Sequence, residues 1–251
     1  EELSFYYQYA EGFRSPDFYS SNLSFTNFAF RYTIIPNPDL GPEESEGSEF
    51  GFKGQASNGS WSVAFYDNDY KDFIETEMTG FTMTGLMKFV YKNLDDVNIK
   101  GSEIKANFNL SDNLTAQFGF NNSKGRQDGK RLTTVDPDQA ILGLLWNSDD
   151  SKLSINTYAR MTDGSPQSLP PVCGRTPPCA DALTLPDHTL IDSFISYSIN
   201  EKFSMRLAIR NITDKKYWNW SDVAGSAAND SALDYFLNPG RNYSLSFRFV
   251  F

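Results

Sequence analysis

The fold class follows from the last nine residues, Tyr243-Ser244-Leu245-Ser246-Phe247-Arg248-Phe249-Val250-Phe251. Large apolar side chains occupy every second position, and three of the four positions between them are Ser244, Ser246 and Arg248. Because successive side chains of a strand point to opposite faces, this stretch predicts a strand with one apolar and one largely polar face. A soluble sheet would bury the apolar face under another layer, whereas a membrane barrel would turn it toward lipid.

The same alternation recurs along the chain, most clearly at 203–210, and no comparable helical stripe accompanies it. Short turn signals such as Asn58-Gly59 alternate with long polar connections. Short turns at one end and long loops at the other are typical of an antiparallel up-and-down transmembrane β-barrel, so we predict an all-β fold of that kind. About ten strands are predicted, near 2–11, 47–56, 60–76, 91–110, 113–123, 138–148, 151–162, 186–199, 202–214 and 239–251. The long connections are predicted near 13–46, 78–90, 124–137, 163–185 and 215–238.

Composition agrees with a barrel and excludes some other classes of protein. Hydrophobic residues make up 39% and the mean hydropathy is −0.47, which is too polar for helical membrane spans. The net charge of −10 argues against a nucleic-acid partner, because nucleic acid needs a basic surface. The pattern assigns several charged residues to the polar face, where a wet barrel interior would accept them: Glu103, Lys105, Arg206, Arg210 and Arg248.

Three groups of motifs give the chain a resemblance to a known family. The first is Ala10-Glu11-Gly12-Phe13-Arg14-Ser15-Pro16 followed by Ile35-Pro36-Asn37-Pro38-Asp39-Leu40-Gly41-Pro42-Glu43. The second is Tyr91-Lys92-Asn93 leading to Ile99-Lys100-Gly101-Ser102-Glu103, and the third is Asn211-Ile212-Thr213-Asp214-Lys215-Lys216-Tyr217-Trp218 with Pro239-Gly240-Arg241. In this order, and with a final strand that ends on Phe251, they resemble the C-terminal part of a TonB-dependent outer-membrane receptor.

The resemblance covers essentially the whole chain and implies its organisation. Residues 1–251 would form the C-terminal portion of one barrel domain, supplying about the last ten strands of a barrel of about 22 strands. The plug domain of such receptors is not in this sequence, and Glu1 opens within a strand pattern. We therefore expect the chain to be one piece of a longer protein. The implied location is the outer membrane of a Gram-negative bacterium, as a multi-pass protein in contact with membrane lipid and lipopolysaccharide.

Within that superfamily, the Phe13-Arg14-Ser15-Pro16 and Asn37-Pro38-Asp39-Leu40 boxes resemble those of heme and hemoprotein receptors (hemoglobin, transferrin and lactoferrin receptors). The resemblance implies active uptake of heme, free or taken from a hemoprotein, with heme as the transported ligand and no catalytic cofactor. It also implies coupling to the TonB–ExbB–ExbD complex through an N-terminal part outside this chain. Ser15 stands where the family usually has Ala.

The heme ligand is sought between the two boxes. Many heme receptors carry a His there as an iron ligand, but residues 17–36 contain none. They contain Tyr19 and Tyr32, and a phenolate is a hard anionic donor for ferric heme. We predict that Tyr32 binds the heme iron, with Tyr19 as second candidate. The further side chains predicted to contact the ligand are Phe13, Arg14, Phe28 and Phe30. Two alternatives stay open: the aromatic residues pack on one another, and Arg14 forms an internal ion pair.

Cys173 and Cys179 are the only cysteines and lie in a Pro- and Gly-containing loop. Their spacing predicts a local disulfide in an oxidising compartment. A zinc site would need more ligands nearby, and His188 is the only His. We expect His188 to be an ordinary polar residue at the rim of the barrel.

Three other functions are kept as alternatives. The first is the same kind of receptor with a ferric siderophore as its cargo. The second is a small outer-membrane barrel enzyme, although a chain with one His offers no Ser/His/Asp or Cys/His set, and we predict that it is not an enzyme. The third is a soluble β-sandwich that acts as a binding module.

Overall fold

The computed structural model describes residues 2–94, 97–127, 129–133, 135–165, 169, 171–172 and 179–250. Its strands are β1 (Glu2–Arg14), β2 (Phe25–Asn27), β3 (Tyr32–Ile35), β4 (Glu43–Ala56), β5 (Gly59–Lys71), β6 (Phe73–Phe81), β7 (Met87–Leu94), β8 (Val97–Asn109), β9 (Leu114–Gln127), β10 (Lys130–Arg131), β11 (Gln139–Asn147), β12 (Leu153–Thr162), β13 (His188–Asn200), β14 (Phe203–Arg210) and β15 (Asn242–Phe249). The helices are α1 (Phe18–Asn22), α2 (Trp220–Val223) and a 3₁₀ helix (Ser231–Phe236). None of the helices in the described residues is long and apolar enough to cross a membrane.

The main sheet runs in the order β1-β4-β5-β8-β9-β11-β12-β13-β14-β15, with β10 added on β9. Every neighbouring pair is antiparallel. The predicted all-β, up-and-down architecture is therefore confirmed, as is the alternation of short turns with long connections. The final residue of the predicted closing strand, Phe251, lies outside the described residues.

One face of the main sheet carries a continuous apolar belt. Cross-strand register places Phe52, Val63, Ile104 and Phe120 side by side across β4, β5, β8 and β9. At the other end of the sheet, Ile195, Leu207 and Leu245 form a second such row across β13, β14 and β15. Phe52 and Leu245 of these rows, and Phe5 and Phe247 on the same face, are exposed in the chain alone, which is the pattern of a surface that faces lipid.

The opposite face is polar, and the charges predicted for the barrel interior lie on it. Lys105 of β8 is in register with Ser62 of β5 and Gly119 of β9, so its two cross-strand neighbours are small residues. Arg206 is in register with Ser196 and Ser246. This face would be the wet inner wall of a barrel.

Two predicted strand boundaries are wrong, because the chain leaves the main sheet after Lys71 and returns to it only at Val97. The predicted strand near 60–76 is broken at Asp72, whose φ of 54° is left-handed and ends β5. The predicted strand near 91–110 combines the end of β7 with all of β8. Between these two points, β6 and β7 belong to a second sheet.

That second sheet, β2-β3-β7-β6, lies largely in stretches predicted as loop, although residues 73–76 of β6 and 91–94 of β7 fell within predicted strands. It joins the connection 15–42 to the connection 72–96, and we call it the tip sheet. β3 and β7 pair in parallel, whereas β2 with β3 and β6 with β7 are antiparallel. Strands as short as Phe25–Asn27 carry too little period-two pattern to be recognised in a sequence.

Candidate functional site

The tip sheet is fastened to the main sheet by Glu43. The Arg14 guanidinium donates to this carboxylate at 2.7 Å from Nη2, with Nε 2.5 Å from the second oxygen. The Glu43 Oε1 atom also accepts from the backbone N–H of Ile74 at 2.6 Å. The side chain of Glu43 is only 9% exposed, so this bidentate pair links β1, β4 and β6 at the base of the tip sheet.

Two asparagines of the resemblance motifs have a similar fastening role. Asn37 Nδ2 donates to the Tyr91 carbonyl at 3.0 Å, and its Oδ1 accepts from the Asp39 N–H. Asn93 exchanges hydrogen bonds with the backbone of Gly41 and also donates to the Asp72 carbonyl at 2.7 Å. Both asparagines therefore hold the connection 15–42 against the connection that contains β6 and β7, through hydrogen bonds from side chain to backbone.

An aromatic surface projects from the same connections, on α1 and the β2–β3 hairpin. Asp17 caps α1 by accepting from the Ser20 N–H at 2.7 Å, and bonds from Ser20 hold the pKa of Asp17 below its usual range. The exposed aromatic residues on this surface, which we call the aromatic tip, are Phe18, Tyr19, Phe25 and Phe28. Exposed apolar patches of this kind mark sites of interaction with other molecules.

Tyr32 lies at the start of β3 beside the aromatic tip. Its ring is 5.9 Å from that of Phe25 and meets Phe89 edge-on at 6.1 Å. The side chain is half-buried, and within the described residues its hydroxyl makes no hydrogen bond that would fix it. Tyr19, in contrast, is 69% exposed on α1. The role of either tyrosine as an iron ligand stays a prediction.

The other predicted ligand contacts are dispersed. Phe13 and Arg14 are neighbours on β1, so they point to opposite faces of the main sheet. Phe13 lies on the face that carries the apolar belt, while Arg14 is held by Glu43. Phe28 is 77% exposed on the β2–β3 turn, whereas Phe30 packs against Phe236 at 5.8 Å. Only Phe28 and Tyr19 of the predicted contacts therefore lie on the aromatic tip.

The contact between Phe30 and Phe236 leads to a small core that the sequence interpretation missed. Leu185, Trp220 and Val223 are buried together between the connections 163–187 and 211–241. Trp220 Nε1 also donates to the Thr133 carbonyl at 2.7 Å, which brings in the connection between β9 and β11. The stretch 215–238 was predicted as a polar loop, but its many apolar residues could have indicated this core.

His188 lies at the edge of this core. Its ring stacks on Tyr217 at 5.2 Å, and both line a cavity of about 120 Å³ together with Arg160, Asp163 and Trp218. Within the described residues, no group of three or more His, Cys, Asp and Glu side chains could hold a metal ion. His188 thus lacks the partners of a conventional metal site.

The third resemblance motif is built around Asn211, a buried residue with a φ of 51°. Its N–H donates to Asp192 Oδ1 at 2.7 Å, and its side chain exchanges hydrogen bonds with the backbone of Lys215 at 2.8 Å. A further bond reaches the Pro239 carbonyl at 3.3 Å. Asp214 then accepts from the Arg241 N–H at 2.7 Å, which aligns the start of β15.

The predicted disulfide cannot be placed, because Cys173 lies outside the described residues. The neighbouring residues Val172 and Ala180 form an antiparallel bridge, so the two arms of this loop lie side by side. Cys179 directly precedes Ala180 in the second arm. The pairing of the two cysteines stays a prediction.

Comparison with known proteins assigns the fold to a family. Residues 1–212 match the family model described as TonB dependent receptor-like, beta-barrel. A copper transporter, OprC, superposes with a TM-score of 0.78 at 17% identity, covering 99% of this chain and 37% of that one. A siderophore receptor, PirA from Pseudomonas aeruginosa, gives 0.70 at 17% identity, with 99% and 39% covered.

A similar sequence is the probable hemoglobin and hemoglobin-haptoglobin-binding protein 4 of Haemophilus influenzae. It is 24% identical over 97% of this chain and 27% of its own length. The chain thus spans about a quarter of that relative. The matched proteins are named for binding and transport, in agreement with the prediction that this chain is not an enzyme.

Proposed function

The chain belongs to the TonB-dependent receptor family of β-barrels, and from this premise we propose that it is part of an outer-membrane receptor that takes up heme from hemoproteins. Residues 1–251 would be the C-terminal portion of the barrel domain. The remainder of the protein would connect it to the TonB–ExbB–ExbD complex. The chemistry would be binding and gated passage, with no bond made or broken.

The observation that carries the proposal is the aromatic tip. Phe28 and Tyr19 expose 77% and 69% of their surface at the end of the molecule that carries the long connections. Exposed aromatic anchors are what a protein-sized partner needs, because such side chains supply most of the binding energy at interfaces. The hemoglobin-binding relative from Haemophilus influenzae supports a hemoprotein as that partner.

Tyr32 is our proposed ligand for the heme iron. Its ring is held between Phe25 and Phe89, and apolar rings suit the flat face of a porphyrin. Its phenolate would supply the hard oxygen donor that ferric iron accepts. Tyr19 would then contribute to contact with the carrier protein rather than to the metal.

Binding of hemoglobin to the full-length receptor tests the partner. Phe28→Ser should weaken binding roughly 30-fold, the effect of losing one interface hot spot of about 2 kcal/mol. Leu110→Ser is the matched control, because Leu110 is also exposed but lies in a short turn at the other end of the strands. Equal affinity of the Phe28→Ser receptor and the wild type would contradict the proposed docking role.

Addition of hemin to the full-length receptor tests the ligand. The wild type should shift the Soret band, Tyr32→Phe should abolish most of that shift, and Tyr19→Phe should retain it. Both substitutions keep the ring and remove only the oxygen, so packing is preserved. A wild-type spectrum that does not change would overturn the heme proposal, and growth rescue by a siderophore alone would select the siderophore receptor.

A further inference from the structure

Methionine is concentrated in the hairpin that β6 and β7 form in the tip sheet. The chain has five methionines, and three of them, Met78, Met83 and Met87, belong to this hairpin. A flexible thioether side chain usually fills an irregular gap in a core. Met83 is fully exposed at the turn and Met78 is 38% exposed, so these two side chains fill no core. Packing therefore does not account for them.

Cross-strand register places two of these side chains on one face of the hairpin, which we call the methionine face. Met78 is directly opposite Phe89, and Met87 is directly opposite Phe81. Opposed residues share a face, and so do residues two apart in a strand, so Met78 and Met87 are diagonal neighbours. Such neighbours lie about 7–8 Å apart, a gap that two long side chains close. The sulfur atoms of Met78 and Met87 can therefore meet at one ion.

The turn of the hairpin supplies the third thioether. The carbonyl of Thr82 accepts from the N–H of Gly85 at 2.9 Å, which closes a tight turn at this end of the two strands. Met83 is the second residue of this turn and lies four positions before Met87. Because its side chain is fully exposed, its three rotatable bonds are not restricted by packing, and it can reach an ion held by the other two sulfur atoms.

The charged side chains of the hairpin lie on its other face. Glu75 and Glu77 are the only carboxylates between positions 73 and 93, and both alternate away from Met78. Lys92 joins Glu77 on that side in an ion pair of 2.6 Å. The methionine face thus offers neutral sulfur donors beside aromatic rings. Thioethers are soft ligands that select Cu(I), whereas carboxylate and carbonyl oxygens suit magnesium, calcium and manganese.

We propose that Met78, Met83 and Met87 bind one Cu(I) ion at the turn of the β6–β7 hairpin. The ion would be held by three neutral sulfur atoms, and no electron would be transferred. This inference goes beyond the proposed uptake of heme and does not depend on it. Met87 is in register with Tyr32 of β3, so the ion would lie beside the proposed heme ligand. Copper binding is therefore measured in the absence of hemin.

Competition with the coloured Cu(I) chelator bicinchoninate tests the site on the full-length receptor, purified without a His tag and kept reduced with ascorbate. The wild type should withdraw one more Cu(I) ion per molecule from the chelate than M78L/M83L/M87L does. Leucine is the chosen replacement because it keeps the apolar volume of methionine and removes the sulfur. M205L is the matched control, since Met205 is also 38% exposed but lies in β14 of the main sheet.

Hydrogen exchange of peptide 73–94 locates the ion. Cu(I) should slow this exchange in the wild type and in M205L and leave it unchanged in M78L/M83L/M87L. Equal withdrawal of Cu(I) by the wild type and the triple variant would overturn the proposal, and so would wild-type exchange that Cu(I) leaves unchanged. If the triple variant exchanges faster without metal, M83L decides, because an exposed turn residue does not contribute to the packing of the hairpin. Withdrawal by M83L that equals that of the wild type would then overturn the three-sulfur site.

Discussion

Substitution of Asn211 tests whether the third resemblance motif is a structural fastening. Asn211→Ala removes three side-chain hydrogen bonds, to the N–H and carbonyl of Lys215 and to the carbonyl of Pro239. At about 1 kcal/mol each, these amount to about 3 kcal/mol. Alanine at a φ of 51° costs about 1 kcal/mol more, because its Cβ disfavours the left-handed region.

Two further variants divide this total of about 4 kcal/mol into its parts. Asn211→Gly accepts the left-handed backbone and should lose only the bonds, about 3 kcal/mol. Asn211→Asp keeps the acceptor for the Lys215 N–H, but it turns a buried carboxylate oxygen toward the carbonyls of Lys215 and Pro239, so its cost should exceed the about 3 kcal/mol of the bonds alone. Asn211→Gly is therefore expected to be the least destabilising of the three variants.

Hydrogen exchange of peptide 211–218 in the full-length receptor is the assay, because the change is local. The loss of about 4 kcal/mol in Asn211→Ala corresponds to exchange roughly a thousandfold faster, whereas the loss of about 3 kcal/mol in Asn211→Gly corresponds to exchange roughly 150-fold faster. Peptide 153–162 in β12 should keep its exchange rate in every variant. If Asn211→Gly exchanged like the wild type, backbone conformation alone would account for the motif, and the hydrogen-bond reasoning would be refuted.

Trp220→Phe should loosen the small core between the long connections, since it removes the bond to the Thr133 carbonyl and part of a side chain that is 4% exposed. A loss of about 1–2 kcal/mol is expected, measured as faster exchange in peptide 128–133, and unchanged exchange there would contradict the link. Burial raises the pKa of Glu75 in the tip sheet. Its protonated form is therefore favoured by folding, and this contribution is present at low pH and lost as the pH rises through the raised pKa. Glu75→Gln should remove that pH dependence from the exchange of peptide 73–81, corrected for the intrinsic rate, and an identical profile in both proteins would contradict the assignment.

The strands of the main sheet could be predicted from the sequence because each shows an alternation of apolar and polar residues within itself. In β14, the alternation of Phe203, Met205, Leu207 and Ile209 shows the strand, its facing and its approximate length without reference to any partner. The short turns are equally local. The predicted inward position of Arg206 followed from the same alternation.

The structure of the long connections was harder to predict because it depends on residues far away in the sequence. β3 has four residues and is stabilised by β7, which lies more than fifty positions further along the chain. The structural role of Glu43 likewise depends on Ile74 and Arg14 together. Arg14 illustrates the difference, since a motif gave its position while only the fold shows which carboxylate holds it.

The parallel pairing of β3 with β7 has a consequence for recognition by other molecules. Residues 32–35 and 87–90 form one surface, although they belong to different connections of the main sheet. An antibody or a bacteriocin that recognises this surface would read a conformational epitope, which synthetic peptides of either connection would fail to reproduce. A substitution in one connection would therefore alter recognition of the other, so the two connections have to be varied together when this surface is mapped.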